Sequence, residues 1–266
     1  MILDTKIQDL PKSIQNIPIR TLESDTPVWL SVAFFALYMG TFSDGIAITE
    51  NKKLVGYFGS KQVIEYLQEQ PTSPALMEKT IKDLPKRDHF VFFSTSNTLS
   101  DIFNEWKKSG FAYSAIQNGE EYSAISINSM LGFIELYDLP NKISEIPKKE
   151  TVTYSNNDTV SAIFDKMLQH KYRRLVLEGT TDVLSDRIII DAICNEFDYL
   201  KKTPDFLSIK AKSFNAKKAM EITQDSKITD VAHDMLRDNH PMMISDGQII
   251  TPWDIVVQFF KVMDGK

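Results

Sequence analysis

Asp246-Gly247-Gln248-Ile249-Ile250-Thr251-Pro252-Trp253-Asp254-Ile255-Val256 reads as a tight turn, a short apolar strand and the start of an amphipathic helix. Thr251 and Asp254, three apart at a helix start, can face one cleft together. They would offer it a hydroxyl, a carboxylate and free backbone N–H groups. Working back from here, related but progressively degraded versions of this stretch recur three times.

The recurrence is clearest in a leader hexapeptide. Ile7-Gln8-Asp9-Leu10-Pro11-Lys12 returns as Ile81-Lys82-Asp83-Leu84-Pro85-Lys86 and as Ile143-Ser144-Glu145-Ile146-Pro147-Lys148. A looser fourth copy begins near Ile209, with Asn215 in the place of proline. Repeats at such a period are read first, because they decide the architecture. The units span 1–70, 80–137, 143–200 and 207–264, leaving no room for a separate catalytic domain.

Each unit has the same predicted order. An extended segment comes first (Ile19–Leu22, Phe90–Phe93, Val152–Tyr154, Ala219–Ile222), followed by a polar cluster suited to capping, such as Ser96-Asn97-Thr98 or Asn157-Asp158-Thr159. A helix with apolar residues at helical spacing follows, as in Leu99, Ile102, Phe103 and Trp106. Two strands joined by a turn and a second helix close the unit. The first unit's helix, Val28 to Met39, is apolar nearly all round and needs cover on more than one face, which a neighbouring unit can supply. Proline and lysine at Glu69–Lys79, Asp138–Glu150 and Lys201–Asp205 read as exposed connections.

Composition narrows the class. With 42% hydrophobic and 25% charged residues the chain has the make-up of a globular protein. A net charge of −6 without a long basic block argues against non-specific nucleic-acid binding. The most apolar run is too short to span a bilayer, and the N-terminus lacks the pattern of a signal peptide, so a cytoplasmic protein with no membrane role is expected. The single cysteine, Cys194, is expected as a small buried hydrophobe. Gly40 to Gly45 has phosphate-loop glycine spacing but lacks the following Lys-Ser/Thr. His89, His170, His233 and His240 have no metal-ligand spacing, so no metal site is expected.

The strand-helix-strand-strand-helix order, with its last strand running into hydrophobic-hydrophobic-Thr-x-x-Asp, resembles the cystathionine-β-synthase (CBS) domain. The resemblance covers nearly the whole chain. It implies an α/β (α+β) fold of four β-α-β-β-α repeats, paired into two Bateman modules at 1–138 and 143–264. These could close a disc within one chain or pair as a homodimer. It further implies a non-enzymatic regulatory protein that needs no cofactor. Such a protein binds an adenosine-containing ligand (AMP, ADP, ATP or S-adenosylmethionine) between paired repeats and acts on a separate partner protein. A ligand-independent scaffold or regulatory subunit is the alternative.

Site residues follow from the same resemblance. Asp254 would take ribose hydroxyls, and Thr251 would approach phosphate. The strand at Glu221-Ile222-Thr223 would offer backbone groups to adenine, with Thr223 at its end. Met242 and Met243 lie on an apolar strand whose alternate residues would face the cleft, where a thioether can pack on adenine, though core filling is the expected role of at least one of them. Lys210, Lys212, Lys217 and Lys218 would supply charge to a polyphosphate, or simply solvate a linker. The third unit keeps Ser185 but has Ile188 in the Asp position, with Arg187 available to a phosphate. The second has Ser126 followed by Ser129, and the first has Gly59 and Gln62. The reading without a ligand is that Thr251 caps its helix and Asp254 favours the helix dipole.

Overall fold

The computed structural model describes the chain except for residues 1, 16, 40–44, 85–90, 196–201, 203, 239–240 and 266. The second leader's Pro85 and Lys86, the glycine-spaced loop from Gly40, and His89 and His240 lie outside the described residues. So does the side chain of Cys194.

Four small sheets carry the chain. In the first repeat β1 (Thr21–Glu23) pairs parallel with β2 (Ile46–Glu50), which pairs antiparallel with β3 (Lys53–Phe58). The second repeats this in β4 (Phe93–Ser94), β5 (Tyr113–Asn118) and β6 (Glu121–Ser126). The third has β7 (Thr153–Tyr154), β8 (Arg174–Leu177) and β9 (Asp182–Ser185), with β10 (Lys217–Lys218) added on the β9 edge. The fourth has β11 (Met220–Glu221), β12 (Met243–Ser245) and β13 (Gln248–Ile250). The segment expected as one extended element, Ala219–Ile222, thus begins only after β10 has joined the preceding repeat's sheet.

The hairpins turn where their residues allow it. Asp246 and Gly247 have φ of 51° and 75°, the double left-handed turn whose twist matches the strands it joins.

Helices follow the expected order. After a short turn α1 (Lys12–Gln15), the first repeat contributes α2 (Val28–Met39) and α3 (Ser60–Glu69), with an added α4 (Ser73–Glu78). The second contributes α5 (Leu99–Ser109) and α6 (Ile127–Ile134), and the third α7 (Val160–His170) and α8 (Asp186–Asn195). The fourth has α9 (Ile228–Leu236) and α10 (Pro252–Met263).

The leaders are exchanged within each module. Ile7 donates its N–H to Asn97 O, and Ile81 donates to Thr26 O, both at 2.9 Å. In the second module Ile143 donates to Ser226 O at 2.9 Å and Ala211 to Asp158 O at 2.8 Å. Each leader therefore docks on the repeat paired with its own, and a buried isoleucine or alanine anchors it.

The apolar cores run the other way, across modules. One joins Val28, Phe58 and Ile64 of the first repeat to Ile163, Leu184 and Ile190 of the third. The other joins Ile102, Leu131 and Ile134 of the second to Val231, Ile255 and Phe259 of the fourth. Helix α2 lies on α8 and α4, and α6 lies on α9 and α10. The all-round apolar α2 thus has covers from two sides, as its sequence requires. Leader exchange within modules and helix packing between them close a ring of contacts through all four repeats.

Two stretches expected as exposed connections are docked instead. Residues 69–79 contain α4, whose Ala75 and Leu76 are buried. Residues 138–150 contain Ile143 and Ile146, both buried in the second core. Their prolines and lysines mark the exposed half of segments whose apolar half is anchored.

Candidate functional site

All four second helices begin with a capping arrangement, and it differs in one informative way. Gly59 N–H donates to Gln62 Oε1 at 2.9 Å, Ser126 N–H to Ser129 Oγ at 3.0 Å, and Thr251 N–H to Asp254 Oδ2 at 3.0 Å. In the third repeat Ile188 has no acceptor to return, so only its N–H bonds to Ser185 Oγ, at 3.3 Å. The recurrent pair therefore serves the helix start wherever it is present. Only Asp254 brings a charge to that position.

Asp254 is 5% exposed. Burying a carboxylate costs free energy unless it is paired, and it is paired on both oxygens. Oδ2 accepts from the Thr251 N–H and, at 2.8 Å, from the Thr251 hydroxyl. Oδ1 accepts from the Lys149 ammonium. Lys149 reaches it from a strap laid along the β12–β13 turn. Gln248 Nε2 bonds to Pro147 O at 3.2 Å, Lys148 to Asp246 at 2.9 Å, and the Thr151 hydroxyl to Gly247 O at 2.8 Å.

Thr251 and Asp254 open onto a cavity of about 390 Å³, a size suited to a small ligand. Its walls come from three repeats. The fourth supplies Gln248, Thr251, Trp253 and Asp254, and the third supplies Lys149, Glu150 and the run His170 to Arg174. The second supplies Trp106, Lys107 and Phe111. Five lysines and arginines face two carboxylates here, a local positive surplus on a chain of net charge −6. Aromatic area accompanies the charge. Trp253 packs on Phe103 at 5.5 Å between centroids, and the buried Trp106 is held by a 2.9 Å bond from its indole N–H to Ser114.

Arg173 is oriented from behind. Its Nε donates to Asp186 at 2.7 Å. Burial opposes ionisation of Asp186, but the charge of Arg173, with other donors and cations beside it, holds its carboxyl below the ordinary value.

The other residues singled out from the sequence lie elsewhere. Ser185, Arg187 and Ser126 are buried at helix starts and do not line the cavity. Strand alternation sends Met242 and Met243 to opposite faces, into the first and second cores respectively, and neither lines the cavity. Thr223 is exposed, bonded to Ser226 in its own turn. Lys210, Lys212, Lys217 and Lys218 are also exposed and outside it. Lys107, Lys149, Arg173, Arg174, Trp106 and Trp253 are among the lining residues that sequence reasoning did not assign.

Between the sheets of the first two repeats the space is filled. Tyr57 meets Tyr113 edge-on at 5.3 Å and Phe111 at 6.1 Å, and the Ala115 N–H donates to the Tyr57 hydroxyl. Burial pushes the Tyr113 phenol up.

Residues 143–195, the third repeat, match the model of the CBS domain. The third repeat is a CBS domain. Over the rest of the chain the likeness to solved structures is one of fold. A protein of Methanocaldococcus jannaschii, described as an archaeal homologue of the AMPK γ subunit, superposes with a TM-score of 0.75 at 12% identity, covering 93% of this chain and 98% of that one. A conserved protein of Pyrococcus horikoshii superposes with a TM-score of 0.52 at 11% identity, covering 81% and 90%. No curated protein sequence matches this chain. Among the described residues no helix is long and apolar enough to cross a membrane, and no cluster of metal-ligating side chains occurs.

Proposed function

We infer that this chain is a regulatory CBS-domain protein that senses a phosphate-bearing adenosine ligand, AMP, ADP or ATP, in the cavity beside Asp254. The observation that carries the reading is the pairing of one buried carboxylate with a basic wall across a cavity of nucleotide size. Asp254 suits two neighbouring ribose hydroxyls, because an ionised carboxylate accepts both with charge-assisted strength. Lys149, Arg173 and Arg174 suit the phosphates, and Trp253 or Tyr172 gives adenine a flat surface. S-adenosylmethionine carries a sulfonium and would add positive charge to a wall already positive, so it ranks below the nucleotides.

The mechanism is a population shift. Because the walls come from both modules, a ligand bonded to all of them favours the arrangement in which the modules are docked. A partner enzyme sensitive to that arrangement would be the regulated target. The likeness of the archaeal structure, described as an AMPK γ homologue, supports this class of role.

A ligand-independent scaffold is the second reading, and one observation favours it: Asp254 is already bonded by Thr251 and Lys149. Thermal unfolding with AMP, ADP, ATP and S-adenosylmethionine separates the two. A nucleotide at ~100 times its dissociation constant adds roughly 2.7 kcal/mol. Stabilisation by a nucleotide and not by S-adenosylmethionine is expected; no response to any of the four contradicts the nucleotide reading and favours the scaffold.

A further inference from the structure

We propose that Lys149 is an internal occupant of the ribose-binding carboxylate, and that its displacement selects nucleoside phosphates over unphosphorylated nucleosides. The proposal rests on the nucleotide reading above and adds the residue that sets ligand choice.

The geometry leaves Asp254 little capacity. One oxygen is held by Thr251 through two bonds, and the other is held by the Lys149 ammonium. With three of its roughly four acceptor positions filled, Asp254 can take both hydroxyls of a ribose diol only if Lys149 is displaced. The Lys149 backbone cannot move far, because Pro147 and Thr151 on either side of it are bonded to Gln248 and Gly247. The exchange is therefore a swing of the side chain, whose flexible four-carbon arm permits it. Its side chain is 40% exposed against 4% for Asp254, so the lysine is the mobile partner.

What the ammonium gains after displacement decides the affinity. A phosphate lying in the cavity offers it a new anionic partner, and the lost ion pair is replaced by another. An unphosphorylated nucleoside offers none. The lysine is then left among Lys171, Arg173 and Arg174 without the carboxylate that had offset its charge, Glu150 being the one other carboxylate in the lining. Lys149 thus opposes nucleosides and favours nucleoside phosphates, and it does so through the same carboxylate that both must use.

Calorimetric titration of the full chain with AMP and with adenosine tests this, on the wild type, Lys149→Met and Lys148→Met. Lys148 sits on the same strap but pairs with Asp246 at the surface, so its variant is the control. In Lys149→Met, AMP is expected to weaken by about tenfold, the scale of one charge-assisted bond, while adenosine tightens. Lys148→Met should keep the wild-type ratio. If the wild type binds AMP and Lys149→Met leaves the AMP-to-adenosine ratio unchanged, Lys149 is not the selector and the nucleotide reading stands. If the wild type binds neither and Lys149→Met takes adenosine, the masking role holds. If neither protein binds either compound, this proposal and the nucleotide reading fall together.

Discussion

The half-buried Arg173 and the buried Asp186 form an ion pair, 2.7 Å from Nε to carboxylate, that ties the basic wall of the cavity to the first residue of α8. Helix α8 is also the surface on which α2 and α3 of the other module rest. One carboxylate therefore orients a cavity arginine and starts the helix that joins the modules.

Removing that carboxylate should cost stability. Asp186→Asn is expected to lose about 2 kcal/mol in urea unfolding, through loss of one charge-assisted bond between a buried carboxylate and a half-buried arginine. The pH dependence has a definite sign. The folded-state carboxyl lies below its ordinary value, so its contribution is present above the unfolded value of about 4 and is lost as pH falls through the folded one. The wild type should lose stability on acidification below about pH 4, and Asp186→Asn should lose less over the same range.

The exchanged leaders make a non-local prediction. Ile143 is 1% exposed and packs in the core of the second and fourth repeats. Ile143→Ala should cost about 3 kcal/mol. Hydrogen exchange should accelerate first in Ile228–Leu236 of the fourth repeat, where the leader docks, and not in Val160–His170 of its own repeat. The opposite pattern would show that leaders support the repeat they belong to.

Thr251 serves both helix and site. Thr251→Ala removes the hydroxyl that donates to Asp254 and should destabilise the chain by about 1 kcal/mol in thermal unfolding. Thr251→Ser should recover most of that loss, and with it the AMP affinity, because the hydroxyl and not the methyl is used.

Tryptophan emission offers a direct report of occupancy. Of the three tryptophans, Trp106 and Trp253 line the cavity and Trp29 does not. AMP should change the intrinsic fluorescence of the wild type and of Trp29→Phe to the same extent, and the change should shrink in Trp253→Phe. A signal abolished by Trp29→Phe would place binding elsewhere.

The repeats were legible because each rests on local chemistry. Leaders, caps and hairpin turns are written in adjacent residues such as Thr98 and Asp101, or Asp246 and Gly247. Asp254 stood out for the same reason, as the only carboxylate at its position among the four units. The rest of the cavity was not legible, because its walls belong to repeats that meet only in the folded ring. Lys107 looks like any helix-terminal lysine, and Lys149 like part of a solvated connection, until the exchanged leader brings Lys149 onto Asp254. Which core Met242 and Met243 enter was not legible for a related reason. A buried apolar strand has two faces, and here both are covered by cores joining the modules.

Calorimetry of AMP against the wild type and Asp254→Ala measures most directly whether Asp254 holds a nucleotide in this cavity, with circular dichroism showing that the variant is folded. Saturable binding to the wild type is expected, weakened by about a hundredfold in Asp254→Ala through loss of the charged acceptor. Absence of binding to the wild type, or affinity unchanged in a folded Asp254→Ala, would contradict the nucleotide role of Asp254.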